Sequence, residues 1–175
     1  MGYLLDTNAL SILAPQTVPR TATTSDGTAF RAWVREHDDD LFLSVITLAE
    51  IQAGVSGLER KGAAKRAADL SLWLSAIVEL YQSRTLPLAA GAALETGRML
   101  DRAMAAGAAP GFEDAAIAAT AAVHGLTVVT ANGRHFRHFG VAFIAPPTRR
   151  PAALCQHTLH GPDSGTLELR RLFNP

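Results

Sequence analysis

EDAAIAATAAVHGLTVVTAN, residues 113–132, is the stretch that decides the fold. Its first half is alanine-rich, opens on Glu113 and Asp114, and closes at Gly125. Acids favour a helix N-terminus through the dipole, and glycine is the favoured residue just past a helix end. The run from Leu126 to Thr130 is apolar and β-branched without polar alternation, as in a strand buried on both faces of a parallel sheet. Asn132-Gly133 then signals a turn. The spacing therefore predicts a helix over 113–124 feeding a strand over 126–130, which is half of an α/β unit.

Working outward, the same alternation continues in both directions. Strands are expected at 3–5, 41–45, 84–88 and 141–144. A short apolar segment covers 9–13, and helices are expected over 29–37, from Thr47 onward, over 63–82 and over 89–106. Leu70, Trp73, Leu74, Ile77 and Tyr81 recur at helical spacing and should face the core, while Ala93, Gly97, Leu100 and Met104 share a stripe of the 89–106 helix. Residues 15–28 are Thr-rich with two prolines and read as an exposed loop, as do 107–112 and 131–139. Asp38-Asp39-Asp40 reads as a solvated turn, a cation site being the other reading. Strands alternating with helices give an α/β layer fold with a mostly parallel sheet. The expected division is one domain over 1–145 and a loosely structured or partner-docking tail over 146–175, whose net charge is +2 from four Arg, one Asp and one Glu.

Composition narrows the function. The chain has 175 residues, 48% of them hydrophobic, so it can bury a core without staples. Lys+Arg and Asp+Glu are both 16, which excludes a protein that coats nucleic acid or anionic lipid through bulk charge. A single cysteine, Cys155, excludes an intrachain disulfide and a cysteine zinc site. Neither a secretory signal nor an apolar run long enough to span a membrane is evident, so a cytoplasmic protein is expected. No G-x-G-x-x-G follows a strand, Ala63 stands where a P-loop needs lysine, and G-x-S-x-G and H-E-x-x-H are absent. His157 and His160 have ligand-like spacing but no evident partners.

Parallel α/β folds place their sites at the carboxyl ends of strands. Asp6 ends the first strand, Glu50 lies just past the second, Asp114 opens a helix after a Gly/Pro loop, and Asn132 follows the 126–130 strand. Each has a plainer reading. Asp6 can cap a helix, Glu50 can complete a Thr47-x-x-Glu50 capping box, Glu113 and Asp114 can serve the helix dipole, and Asn132 can be a turn residue. Together they fall at one edge of the expected sheet. Converging carboxylates need a proton or a cation between them, and an oxygen-only donor set suits Mg²⁺ or Mn²⁺. Such a site suits phosphodiester hydrolysis by a metal-activated water.

LLDTN (4–8), SVITLAEI (44–51), EDAAIAATA (113–121) and GLTVVTAN (125–132) extending to His135-Phe136 resemble the PIN-domain ribonucleases, and among them the VapC-type toxins of toxin–antitoxin pairs. The resemblance spans roughly residues 2 to 145, with the four blocks in order. It implies a PIN-like three-layer fold, a central mostly parallel sheet flanked by helices, and Mg²⁺- or Mn²⁺-dependent endoribonuclease activity. It implies that Asp6, Glu50 and Asp114 surround the metal, that Asn132 assists, and that Thr7 and Asn8 orient the site. It also implies a homodimer and a cognate antitoxin that inserts a segment, with an Arg or Lys, into the acidic cleft. The family's fourth acid lies at the Asn132 or the His135 position, and here neither is acidic. That departure motivates the alternative of a catalytically weak PIN-like module that binds RNA or protein. For RNA contacts the sequence offers Arg134, His135 and Arg137 with His138, and a second basic group of Arg60, Lys61, Lys65 and Arg66.

Overall fold

The computed structural model describes residues 1–15 and 25–148. Residues 149–175, with Cys155, His157, His160 and most of the expected tail, lie outside the described residues. The elements are β1 (Tyr3–Leu5), α1 (Thr7–Leu13), α2 (Ser25–Glu36), β2 (Leu41–Ser44), α3 (Val45–Arg60), α4 (Ala64–Leu80), β3 (Thr85–Leu86), α5 (Ala90–Ala105), α6 (Phe112–His124), β4 (Thr127–Val129), α7 (Gly133–Phe136) and β5 (Phe143–Ile144). The five strands form one sheet in the order β3-β2-β1-β4-β5. Every pairing is parallel, with Leu4 opposite Phe42 on one side and Val128 on the other.

Alternating side chains divide the interior into two layers, one on each face of the sheet. Leu5, Leu41, Leu43 and Val129 point into a cluster built with α1, α2 and α4. Leu4 and Val128 point the other way, against Met99, Ile117, Phe136 and Phe139. Gly125 ends α6 in the left-handed conformation, φ 65°, as its place in the sequence implies. Among the described residues no helix is long and apolar enough to cross a membrane.

Three local expectations are corrected. The 15–28 loop is shorter than expected, because α2 already begins at Ser25. Residues 16–24 lie outside the described residues. Gly27 has poor helix propensity, but the burial of Ala29, Phe30 and Val34 secures the helix and overrides it. The buried stripe of α5 is Ala92, Thr96, Met99 and Ala103, one residue out of phase with the expected one, and Met104 is exposed. The 131–139 loop contains α7. Gly133 opens it because Phe143 of β5 packs where a side chain would begin: a Cβ there would lie 2.7 Å from the ring.

The three aspartates fit the solvated-turn reading at Asp39 and Asp40, which are exposed, whereas Asp38 is tied down. They form a 3-10 turn. The Tyr81 hydroxyl donates to Asp38 Oδ1 at 2.9 Å, Arg84 donates to the Asp38 carbonyl, and the Arg84 guanidinium lies 4.6 Å from the centre of the Tyr81 ring. The clamp ties the turn before β2 to the turn before β3. Burial, then Asp38, holds the Tyr81 phenol well above its ordinary pKa. Tyr81→Phe is expected to lower stability by about 1.5–3 kcal/mol, the usual worth of a hydrogen bond to a charged group, in urea unfolding at pH 7. An unchanged midpoint would show that the Tyr81 hydroxyl adds nothing to the clamp.

Candidate active site

In the β3-β2-β1-β4-β5 order the chain leaves β1 toward β2 on one side and returns on the other side as β4. The gap between the carboxyl ends of β1 and β4 is the topological switch point, where open parallel sheets place their sites. Asp6 stands at the end of β1, and its backbone N–H is bonded to the Val129 carbonyl at 3.0 Å. Thr130 stands at the end of β4. Its hydroxyl donates to Asp6 Oδ2 at 2.7 Å and accepts from the Asn132 N–H at 2.9 Å.

Asp6 also caps α1, accepting from the Thr7 N–H at 2.7 Å, so the capping and functional readings hold together. Asn8 lies two residues on. Its amide nitrogen donates to Asp6 Oδ2 at 2.5 Å, and its carbonyl oxygen accepts from the Ala131 N–H at 2.6 Å. Asn8 thereby staples α1 to the segment after β4. The Thr7 hydroxyl donates to Glu50 Oε2 at 2.5 Å, and this bond fixes the glutamate in the cleft.

The capping box expected at Thr47 and Glu50 does not form. Ser44 is the cap of α3, its hydroxyl accepting from the Ile46 N–H. Thr47 is buried inside the helix and donates to the Leu5 carbonyl at 3.3 Å. Glu50 is consequently one turn further along α3 than a capping residue, and its carboxylate is free to face Thr7.

Asp114, in the first turn of α6, completes the group. Asp6 is only 2% exposed, and its pKa is pushed up to about 6. Burial is the main cause; the Thr130 and Thr7 hydrogen bonds oppose it, and Asp114 and Glu50 add repulsion. The Glu50 carboxyl is also raised, by burial first and then by Glu113 and Asp114. The charges of Asp114 and Glu50 thus act on Asp6, and that of Asp114 on Glu50.

The fourth acid is replaced by a contact. His135 Nδ1 lies 2.6 Å from Asp114 Oδ2 and 2.8 Å from the Asn132 side-chain amide. His135 is half-buried against the acid, not a bare surface residue, and Asn132 joins the site through His135 and Thr130. Sequence reasoning missed Thr130, whose only signal is its place at a strand's carboxyl end. It also missed Glu113 as a second acid acting on Glu50.

Arg134, Arg137 and His138 are exposed on the outer side of the segment that starts with α7, while Phe136 and Phe139 anchor that segment in the core, ring centres 5.9 Å apart. The second basic group is elsewhere. Arg60 is ten residues beyond Glu50 on α3, about 15 Å along the helix at 1.5 Å per residue.

The donors suit a hard divalent cation: carboxylates, an amide and hydroxyls, with no sulfur. Among the described residues, no three acidic, histidine or cysteine side chains close into a ready-made cage. An open set of carboxylates matches Mg²⁺, which usually binds through one or two carboxylates and keeps several waters. The unfavourable ionisation of Asp6 is the physical sign that this cleft fits a cation.

The PIN-domain family model matches residues 3–142. The chain belongs to the PIN-domain family. Its fold is similar to the crystal structure of FitAcB from Neisseria gonorrhoeae, at 32% identity and TM-score 0.67, covering 82% of this chain and 97% of that one. A structure of FitAB bound to an IR36 DNA fragment matches at 29% identity and TM-score 0.60, covering 82% and 94%. DNA-bound VapBC from Salmonella typhimurium matches at 25% identity and TM-score 0.60, covering 83% and 98%. Among curated proteins, none matches this chain. The five-stranded parallel sheet expected from the sequence is that of the family.

Proposed function

We propose that this PIN-domain protein is a divalent-metal-dependent endoribonuclease and the toxin of a toxin–antitoxin pair. The observation that carries the proposal is the cleft at the switch point, where the charge of Asp114 disfavours ionisation of both Asp6 and Glu50 and Asp6 is almost wholly buried. Asp6 and Asp114 would hold the ion, with Glu50 binding it or ordering its water shell. A divalent ion there supplies charge stabilisation at the phosphate and lowers the pKa of a water.

The chain's own residues do the positioning. Asn8 and Thr130 hold Asp6 Oδ2 in place, Thr7 aims Glu50, and His135 holds Asp114. Asn132, through its bond to His135, steadies that side of the cleft. A water ordered in the cleft beside Glu50 would attack phosphorus in line and give up its proton to solvent, while the leaving ribose oxygen would depart opposite and take up a proton.

The similarity to FitAB and VapBC assemblies supports a cognate antitoxin as partner, and a homodimer is part of the same proposal for the toxin's own state. A basic side chain of the antitoxin reaching the acids would substitute for the ion's charge and silence the site. A metal titration tests the function: cleavage of total RNA should be absent in chelator and rise with Mg²⁺ or Mn²⁺ to saturation. RNA binding without cleavage at any metal concentration would instead establish a binding module and defeat the nuclease assignment.

A further inference from the structure

Next to the acids lies a pocket of about 270 Å³ that the acids do not line. One wall is the 108–110 loop between α5 and α6, with Ala108, Ala109 and Pro110. The other wall is wholly basic or titratable: Arg134, His135, Arg137 and His138. The backbone bonds Arg137 N–H to Gly133 C=O and His138 N–H to His135 C=O continue the helical turn past α7. Positions 134, 137 and 138 therefore share one face, while Phe136 and Phe139 fix the opposite face in the core.

The arginines elsewhere in the fold that face an acid are used by it: Arg84 pairs with Asp38, and Arg98 and Arg102 with Glu95. Among the described residues, no carboxylate pairs with Arg134, Arg137 or His138. Two forked guanidiniums converging without a protein anion suit a phosphate, which they can grip in a bidentate way. His135 is the shared member, since it lines the pocket and its Nδ1 contacts Asp114. An anion in the pocket therefore sits one side chain away from the acid that would hold the metal.

We propose that this pocket is a backbone-phosphate subsite for single-stranded RNA, holding a phosphate that neighbours the scissile one. Arg134 and Arg137 contact the phosphate oxygens, His138 closes the pocket, and the Ala108-Ala109-Pro110 wall gives the sugar an apolar surface. The inference rests on the ribonuclease reading for the identity of its ligand. A duplex DNA ligand is the competing source of phosphate. The adjacency to Asp114 favours RNA, because a duplex would have to bring its backbone into a concave pocket beside the cleft.

The test uses the full chain in chelator, where RNA stays intact, with a fluorescent single-stranded RNA read by anisotropy over a salt series. Arg134→Ala/Arg137→Ala should weaken binding at least about tenfold and flatten the log-affinity against log-salt slope by about 0.7, the value for one lost phosphate contact on a single strand. Lys at both positions should restore the slope but only part of the affinity, since lysine lacks the fork. Thermal unfolding checks that each variant is folded. Unchanged RNA affinity and slope in the folded alanine variant overturns the subsite, and normal cleavage by that variant would leave the nuclease reading intact. A loss confined to duplex DNA also overturns it. Lost RNA binding in the variant, with no metal-dependent cleavage even by the wild type, would sustain the subsite and remove the nuclease reading.

Discussion

Asp114→Asn lowers metal-dependent RNA cleavage by more than about a hundredfold, the expectation being set by outer contacts of metal sites, whose loss alone costs about 10–100-fold. The substitution is nearly isosteric and removes one negative charge from the first turn of α6. Its structural cost is small, because asparagine keeps a side-chain oxygen that can accept a hydrogen bond from His135, the half-buried partner of Asp114. A large loss of rate in a protein with a near-normal unfolding midpoint therefore reports on the reaction. Initial rates across a Mg²⁺ series separate weaker metal binding from slower chemistry, since weaker binding alone is overcome at high Mg²⁺. Wild-type rates in the variant would remove Asp114 from the chemistry and with it the role of the cleft.

The Asp114 site also shows what a sequence can and cannot convey. Strand β4 was legible because a run of Leu, Thr and Val after a glycine-terminated helix has few alternatives, and Asp6 was legible because it ends such a run. The acids followed from topology, since a parallel sheet aligns its carboxyl ends. Helix α5 was harder. Its sequence offers two stripes, one residue apart, and alanine fills positions in both. The packed face is the one with Ala92, Thr96, Met99 and Ala103, of which Met99 and Ala103 share a cluster with Ala115, Ala118 and Ala119 of α6. Leu100 is only partly buried against that cluster and Met104 is left outside it, an outcome set by the pair of helices and not by either one. Thr47 and Glu50 satisfy a capping pattern, yet Ser44 takes the cap because β2 ends there. Thr130 was invisible as a site residue, and His135 was legible as an RNA contact but not as the partner of Asp114, for a related reason. Their roles consist of hydrogen bonds to Asp6 and Asp114, more than a hundred and about twenty residues away, and no local pattern marks them.

The pH dependence of stability isolates Asp6. In chelator its folded pKa of about 6 lies above the ordinary 3.8, so between those values the folded state keeps a proton that the unfolded chain has released. Stability from this group is complete below pH 4 and is lost as pH rises through 6. At 1.36 kcal/mol per unit the loss is about 3 kcal/mol, applicable without a solvent discount because Asp6 is 2% exposed. Glu50 is shifted in the same direction and steepens the trend. Asp6→Asn cannot ionise, so its stability minus that of the wild type should climb by about 3 kcal/mol between pH 4 and pH 7. Any hydrogen bond that asparagine fails to make with Thr7, Asn8 or Thr130 is nearly the same at both pH values and cancels in that comparison. Urea unfolding followed by the fluorescence of the two tryptophans gives both curves. Excess Mg²⁺ should raise wild-type stability at pH 7, because an ion that binds only the folded, ionised site stabilises by mass action, and should do little at pH 4, where protons hold the same oxygens. The same ions should have a much smaller effect on the variant. Parallel pH profiles for the two proteins would mean that Asp6 ionises in the fold as easily as in water, and the buried acid would then give no reason for a cation to enter the cleft.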